Sequence, residues 1–312
     1  MLDRRTVIGS GAAALALGSA MAAPSQAFFA AKHLPIGLQL YTLGRTVDED
    51  LDGALKKVAA IGYRTIEPAG YHGHSPAQLR AAADRAGLRC TSIHIPPRAS
   101  GGAPGLDGDL ARLAAGVHVL GADTIVMPIF LFPAAAPPPA PGEDGRTYLV
   151  KIADALTADD WKNTAAFLNE KGRALKNEGL TLAYHNHNVD FRPIGNTTGY
   201  EVLVRETDPS LVVLEMDAGW VAAAGLDPAG LLRKYPGRYR LMHVKDIFAT
   251  TRMNFALEQD PTEVGKGMMH WPALLREAYA AGVRNFYVEQ EPPFRQDRFA
   301  AVAESFHYLE SI

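Results

Sequence analysis

The sequence predicts one α/β domain, a (β/α)8 barrel, and three observations lead there. Short apolar runs rich in β-branched and aromatic residues alternate with longer Ala/Leu-rich amphipathic stretches. Glycines recur just after the helical stretches and just before the strand-like ones. The last four apolar runs each end in His, Asp or Glu, which is how a parallel barrel presents chemistry at its mouth.

Taken in order, strands are expected over 35–41, 63–67, 88–95, 123–128, 180–186, 211–217, 239–245 and 284–290. Amphipathic helices are expected between them, among them Asp50–Ile61, Pro76–Ala86, Asp109–Leu120, Asp160–Asn177 and Trp271–Ala281. Alternation sustained over eight strands favours a closed barrel over an open doubly wound sheet. Gly62, Gly87, Gly121, Gly179 and Gly282 fall at the helix-to-strand turns, where a left-handed cap is needed. One stretch breaks the rhythm. Residues 132–146 are too Pro-rich for helix or strand and should form a semi-rigid loop after the fourth strand. A lid segment, a contact in a homo-oligomer and a tolerated insertion are all open readings of it.

The N-terminus reads as a leader. Arg4 and Arg5 precede a short Gly/Ala-rich apolar stretch with small-residue cleavage positions near Ala22 and Ala27, the layout of a twin-arginine signal peptide over residues 1–27. Cleavage after Ala27 leaves residues 28–312, the size of one barrel. A periplasmic or otherwise exported location is expected, with no stable membrane anchor. Without Asp3, Arg4 and Arg5 the chain carries 29 basic and 33 acidic side chains, a net of −4. No basic stripe points to nucleic acid. The lone cysteine, Cys90, excludes an intrachain disulfide and reads as a buried, inert thiol.

The chemistry sits at the carboxyl ends of the last four runs. They are Leu180-Thr-Leu-Ala-Tyr-His185-Asn-His187, Val212-Val-Leu-Glu-Met-Asp217, Tyr239-Arg-Leu-Met-His243-Val-Lys245 and Asn285-Phe-Tyr-Val-Glu289. Alternation puts His185 and His187 on one side if the strand runs that far, and likewise His243 with Lys245 and Glu289 with Glu291. A carboxylate such as Asp217, after an apolar run, is costly to bury alone. His185, Asp217, His243 and Glu289 from four consecutive strands form a candidate set for one divalent ion, Mn, Zn, Co or Fe in preference to Mg.

Here the sequence resembles the xylose isomerase-like TIM barrel superfamily, with its sugar isomerases, epimerases and inosose dehydratases. The resemblance rests on Ile36-Gly-Leu-Gln-Leu-Tyr-Thr, Gly62-Tyr-Arg-Thr-Ile-Glu67, Ser92-Ile-His94, Leu214-Glu-Met-Asp217-Ala-Gly-Trp and His243-Val-Lys245-Asp. Gly265-Lys-Gly267 before His270-Trp271 adds to it. It implies one divalent metal held by Glu, Asp, His and Glu from strands five to eight. Asp217, His243 and Glu289 match the last three. His185, or alternatively His187, stands where the first Glu is common. The lost Glu removes one base of the two-base epimerase arrangement, which favours isomerisation, β-elimination or dehydration.

On that reading the substrate is a small carbohydrate, a keto-sugar or cyclitol, deprotonated beside a metal-polarised carbonyl. Glu289 or an imidazole such as His187 or His94 is the candidate base. Lys245 is the candidate oxyanion holder or proton donor, or else the salt-bridge partner of Asp246 or another carboxylate. Glu67 and His94, at the ends of strands two and three, are expected to face substrate. Gln39, Tyr41 and Trp271, with Trp220, are candidate contacts to the sugar ring, and His72 and His74 are either substrate contacts or a solvated turn. A lyase of 3-keto-glycosides, a sugar epimerase and a non-catalytic sugar-binding barrel remain as alternatives.

Overall fold

The computed structural model describes residues 27–312, so all of the expected leader except Ala27 lies outside the described residues. The barrel strands are β1 Gly37–Gln39, β2 Thr65–Glu67, β3 in two pieces (Arg89–Cys90 and Ser92–His94), β4 Thr124–Met127, β5 Thr181–His185, β6 Val212–Asp217, β7 Tyr239–Val244 and β8 Asn285–Val288. Neighbouring strands pair in parallel. The order runs from the first piece of β3 through β2, β1, β8, β7, β6, β5 and β4 to the second piece of β3. Both ends of the sheet therefore lie in one strand, and the fold is the (β/α)8 barrel. Backbone bonds from Gly70 N to His94 O and from His94 N to Pro68 O, each 2.9 Å, close the seam.

The strands are shorter than the apolar runs, because side chains near their ends bond back to the backbone and turn the chain. The Gln39 carbonyl accepts from Tyr41 N at 3.0 Å and starts a 3-10 turn over Leu40–Leu43. Caps likewise set the helix starts. Thr157 and Asp160 form a reciprocal capping box, so that helix covers Ala158–Asn177 and begins two residues before the apolar pattern suggested. Gly87 closes Pro76–Ala86 with φ 74°, a left-handed conformation that a side chain would resist. Gly37 answers a different need. A Cβ there would come within 2.5 Å of the Tyr287 ring.

Most of the core lies between strands and helices, where residues such as Leu38, Ile66, Ile93, Ile125 and Leu182 are fully buried. Each such side chain contributes about 1.5–3 kcal/mol. Inside the barrel, Val126, Ala183, Leu241 and Tyr287 form a separate apolar plug, packed by Val213. The polar side chains of the mouth thus stand over a dry floor. Phe28 and Phe29 are buried and pack edge-to-face on Phe286, with ring centroids 5.9 and 5.6 Å away.

The Pro-rich segment is irregular only as far as Asp144. That carboxylate accepts from Arg146 N and Thr147 N and starts a helix over Gly145–Ala155, so the last two residues of the expected loop are helical. Arg146 donates to Ala256 O, tying this excursion to the loop after β7. Among the described residues, no helix is long and apolar enough to cross a membrane.

Candidate metal centre and active site

The inward residues of β6 are Glu215 and Asp217, and they organise two stacked polar layers. Register makes the division: His185 pairs with Glu215 across β5 and β6, whereas His243 pairs with Asp217 across β7 and β6. Donor atoms of His94, His185, Glu215 and His243 lie within 4.8 Å of one another, as do those of Asp217, His243 and Glu289. His243 belongs to both groups.

In the deeper layer Glu215 Oε2 lies 2.9 Å from His94 Nε2, 3.0 Å from His185 Nδ1 and 3.3 Å from His243 Nε2. Glu67 is fully buried. It accepts from Gln39 Nε2 at 3.0 Å and from the Ser92 hydroxyl, and its Oε1 lies 2.7 Å from His243 Nε2 and 3.1 Å from His94 Nε2. Burial works against ionisation of Glu67, but His94 and the bond to His243 outweigh it and hold the carboxyl below its usual range. Glu67 and Glu215 lift His94 to about 9 against the pull of burial. Burial and the Glu67 charge raise Glu215 to about 7.

The upper layer centres on Lys245. Its Nζ lies 2.7 Å from Asp217 Oδ2, 2.8 Å from Glu289 Oε2 and 2.6 Å from Glu291 Oε1, with the Trp220 ring 4.9 Å away. Asp246 is not its partner. That carboxylate instead accepts from Gly265 N, Gly267 N, Met269 N and the Trp271 indole, pinning the loop before the Trp271–Ala281 helix. Three carboxylates hold the Lys245 ammonium charged despite full burial. Burial alone would neutralise Glu289, but Lys245 and His243 keep it ionised. Asp217, more weakly compensated, is raised to about 6 by burial.

The donor types suit a divalent transition ion, but of the expected set only Asp217, His243 and Glu289 share one group, and His185 falls in the deeper one. Asp217 Oδ2 is buried against the Lys245 ammonium at 2.7 Å. It faces His185 Nε2 at 3.9 Å and His243 Nδ1 at 3.8 Å, and Glu289 Oε2 lies 2.9 Å from that same Nδ1. With Nδ1 turned to Glu215, His185 presents its Nε2 lone pair; with Nε2 turned to Glu67, His243 presents Nδ1 once it loses a proton. The two imidazoles are thereby oriented by carboxylates beneath them. Lys245 shares the carboxylates with any such ion.

Several expected residues take other places. β5 ends at His185, and the chain leaves through a 3-10 turn over Asn188–Phe191, so His187 does not continue the strand. Its ring, half-buried, packs on His185 and Trp220 and is held neutral, lowered to about 3 by burial and by Lys245. Glu67, Gln39 and His94, expected to face substrate, belong to the buried layer beneath the mouth because their polar atoms serve one another. Trp271 packs instead of lining the mouth: it is fully buried with its indole donated to Asp246. Tyr41 is half-exposed at the rim.

Two site residues escaped the sequence reading, Glu215 and Asn186, while Glu291 was read only as sharing a side with Glu289. Glu215 stands two residues before Asp217, and that spacing on one strand face is the signal for it. Glu291 accepts from Lys245 and from the Trp220 indole at 3.1 Å. Asn186 donates to Asp217 O and accepts from Asp217 N, an amide clamp between β5 and β6 that carries no sequence signal.

The family model of the xylose isomerase-like TIM barrel matches residues 55–312. The chain belongs to this family. Among curated proteins similar to this chain, inosose dehydratase of Clostridium tetani is 36% identical over 92 residues, 30% of this chain and 30% of that protein. Inosose dehydratase of Bacillus anthracis is 34% identical over 99 residues, 32% of this chain and 33% of the relative. The chain thus spans about a third of the length of those curated relatives. A sugar phosphate isomerase/epimerase structure from Parabacteroides distasonis superposes with TM-score 0.68 at 25% identity, over 88% of this chain and 96% of the other. An L-ribulose 3-epimerase structure superposes with TM-score 0.60 at 15% identity, over 88% and 93%, and shares the fold alone.

Proposed function

We propose that this member of the xylose isomerase-like family is a divalent-metal-dependent isomerase or lyase of a keto-sugar or cyclitol, exported through its twin-arginine leader. The observation that carries the proposal is Asp217 Oδ2, a buried carboxylate oxygen that touches the Lys245 ammonium and is faced by His185 Nε2 and His243 Nδ1. His185, Asp217, His243 and Glu289 would hold the ion, which when bound supplies Lewis-acid polarisation of the substrate carbonyl.

The chain's own groups supply the proton chemistry. Glu289, kept ionised, or neutral His187 takes the proton from the carbon beside the carbonyl, and the electron pair moves onto the carbonyl oxygen. Lys245 donates a hydrogen bond to the oxygen where that charge develops. Return of a proton to the former carbonyl carbon, with the proton of the adjacent hydroxyl passing to the former carbonyl oxygen, gives isomerisation. Expulsion of a β-oxygen substituent, which takes up a proton, gives elimination. The similarity to inosose dehydratases favours elimination.

The test is exchange. Chelator-stripped protein, reconstituted singly with Mn, Zn, Co or Fe, is incubated in D2O with a panel of keto-sugars and inososes. Metal-dependent deuterium at the carbon beside the carbonyl, seen by mass spectrometry, is expected. Stoichiometric metal without exchange across the panel would leave a sugar-binding barrel in its place.

A further inference from the structure

Two small-residue patterns compete as the place where the leader is removed. Ala20-Met-Ala22 calls for a cut between Ala22 and Ala23, and Ser25-Gln-Ala27 calls for one between Ala27 and Phe28. The second bond belongs to the fold. The Ala27 carbonyl accepts from Ala31 N at 2.8 Å, the first bond of the helix Phe28–Lys32. The N–H on the other side of the same peptide, that of Phe28, donates to the Ile312 backbone oxygen. Both polar atoms of this bond are therefore in use.

The residues that follow are anchored just as firmly. Phe28 is 7% exposed and Phe29 only 4%. Phe28 packs edge-on against Tyr279 and Phe286, with ring centroids 6.2 and 5.9 Å away, and Lys32 Nζ lies over the Tyr279 ring. The far end of the helix is closed by His33 N, which donates to Ala30 O, and by Leu34 N, which donates to Phe29 O. Peptidases act on extended, exposed chain, and the carbonyl they attack must turn into their own donors. To offer the Ala27 carbonyl, this helix has to unwind and both phenyl rings have to leave the core. That lowers the cleavable population roughly a hundredfold or more. The twin-arginine route moves a chain that has already folded, so the barrel holds this bond when the leader is removed.

We infer that the exported chain is cut between Ala22 and Ala23, and that the mature protein begins at Ala23 and keeps Ala27 with the whole first helix. Water adds across that peptide bond, leaving a carboxylate on Ala22 and an amine on Ala23. Residues 23–27 give the bond a reach of up to about 17 Å from the helix, so cleavage there leaves the packing of Phe28 and Phe29 untouched. The assignment rests on the proposed twin-arginine export and is independent of the carbohydrate chemistry.

The test reads the first residue of the exported protein. The full chain from Met1 is produced in a bacterium that has a twin-arginine translocase, and the periplasmic form is examined by intact mass and N-terminal sequencing. A start at Ala23 is expected. Ala22→Phe should slow processing roughly a hundredfold, because a ring does not enter a pocket shaped for a methyl group. Ala27→Phe should leave both the start at Ala23 and the processing rate, within about twofold, as they were. A start at Phe28, or at any residue other than Ala23, overturns the assignment, as does a block of processing by Ala27→Phe; the first reading needs no variant to fold. A chain that keeps Met1 and stays in the cytoplasm overturns the leader reading itself, so the two failures are told apart.

Discussion

Lys245 Nζ lies 2.7 Å from Asp217 Oδ2, and both side chains are wholly buried. The ammonium neutralises a carboxylate that the candidate metal site also uses. Lys245→Met should therefore destabilise metal-free protein by about 3–5 kcal/mol, the cost of leaving a buried pair broken. Millimolar Mn should recover much of that loss, because it supplies the missing positive charge. Urea melts with and without metal measure both effects. Unchanged stability of the metal-free variant would show that the ammonium is not what balances these carboxylates.

Glu215 touches two candidate ligands, His185 and His243. Through His185 Nδ1 at 3.0 Å it fixes which nitrogen faces Asp217. Glu215→Ala should weaken metal binding roughly 10–100-fold, the usual effect of losing such an orienting group. Asp217→Ala should abolish binding. Titration calorimetry with Zn or Mn distinguishes the two, and equal losses would place Glu215 among the ligands themselves.

Gly219 keeps room for the Lys245 stem. A Cβ at this helical position would lie 2.7 Å from Lys245 Cγ and 2.8 Å from Cδ. Alanine suits a helix better than glycine by about 1 kcal/mol, but disturbing the buried ammonium costs more, so the thermal midpoint should fall in Gly219→Ala. The displaced ammonium should lower the rate of substrate exchange roughly ten- to a hundredfold. Stopped assays at saturating sugar read this directly, and a full rate in the variant would remove Lys245 from the reaction.

Asp190 is a buried carboxyl that accepts from the Tyr184 hydroxyl at 3.0 Å and from His187 N at 3.1 Å. Burial raises it to about 7. The unfolded chain ionises this group near pH 4 and the folded chain only near 7, so the folded state binds the extra proton between them. Its contribution is fully present below about pH 4 and is lost as pH rises through 7, up to roughly 4 kcal/mol. Asp190→Asn keeps an acceptor for both donors and removes the ionisation. The variant should gain stability relative to the parent as pH climbs from about 4 to 7, and parallel stability profiles would refute the assignment.

Much of this site was legible before any coordinates. His243, Asp217, Lys245 and Glu289 end apolar runs, and a strand end in a parallel barrel can only be at the mouth. Depth was harder to read. Gln39, Glu67 and His94 also sit at strand ends, yet they lie one layer lower and satisfy one another. Trp271 looked like a sugar platform because a helix N-terminus at the mouth carries it; the Asp246 carboxylate drew its indole inward.

The sequence by itself determined the alternation of strand and helix, the cap residues, and which strands carry ligand-type side chains, because period and local hydrogen bonding are written in neighbouring residues. Only the tertiary structure decided the register, which sets His185 level with Glu215 and His243 level with Asp217. Register follows from how eight strands tilt and close around one plug of side chains. No single strand contains that information, and so the pairing of Lys245 with Asp217 and the orienting carboxylates beneath the histidines came from the closed barrel alone.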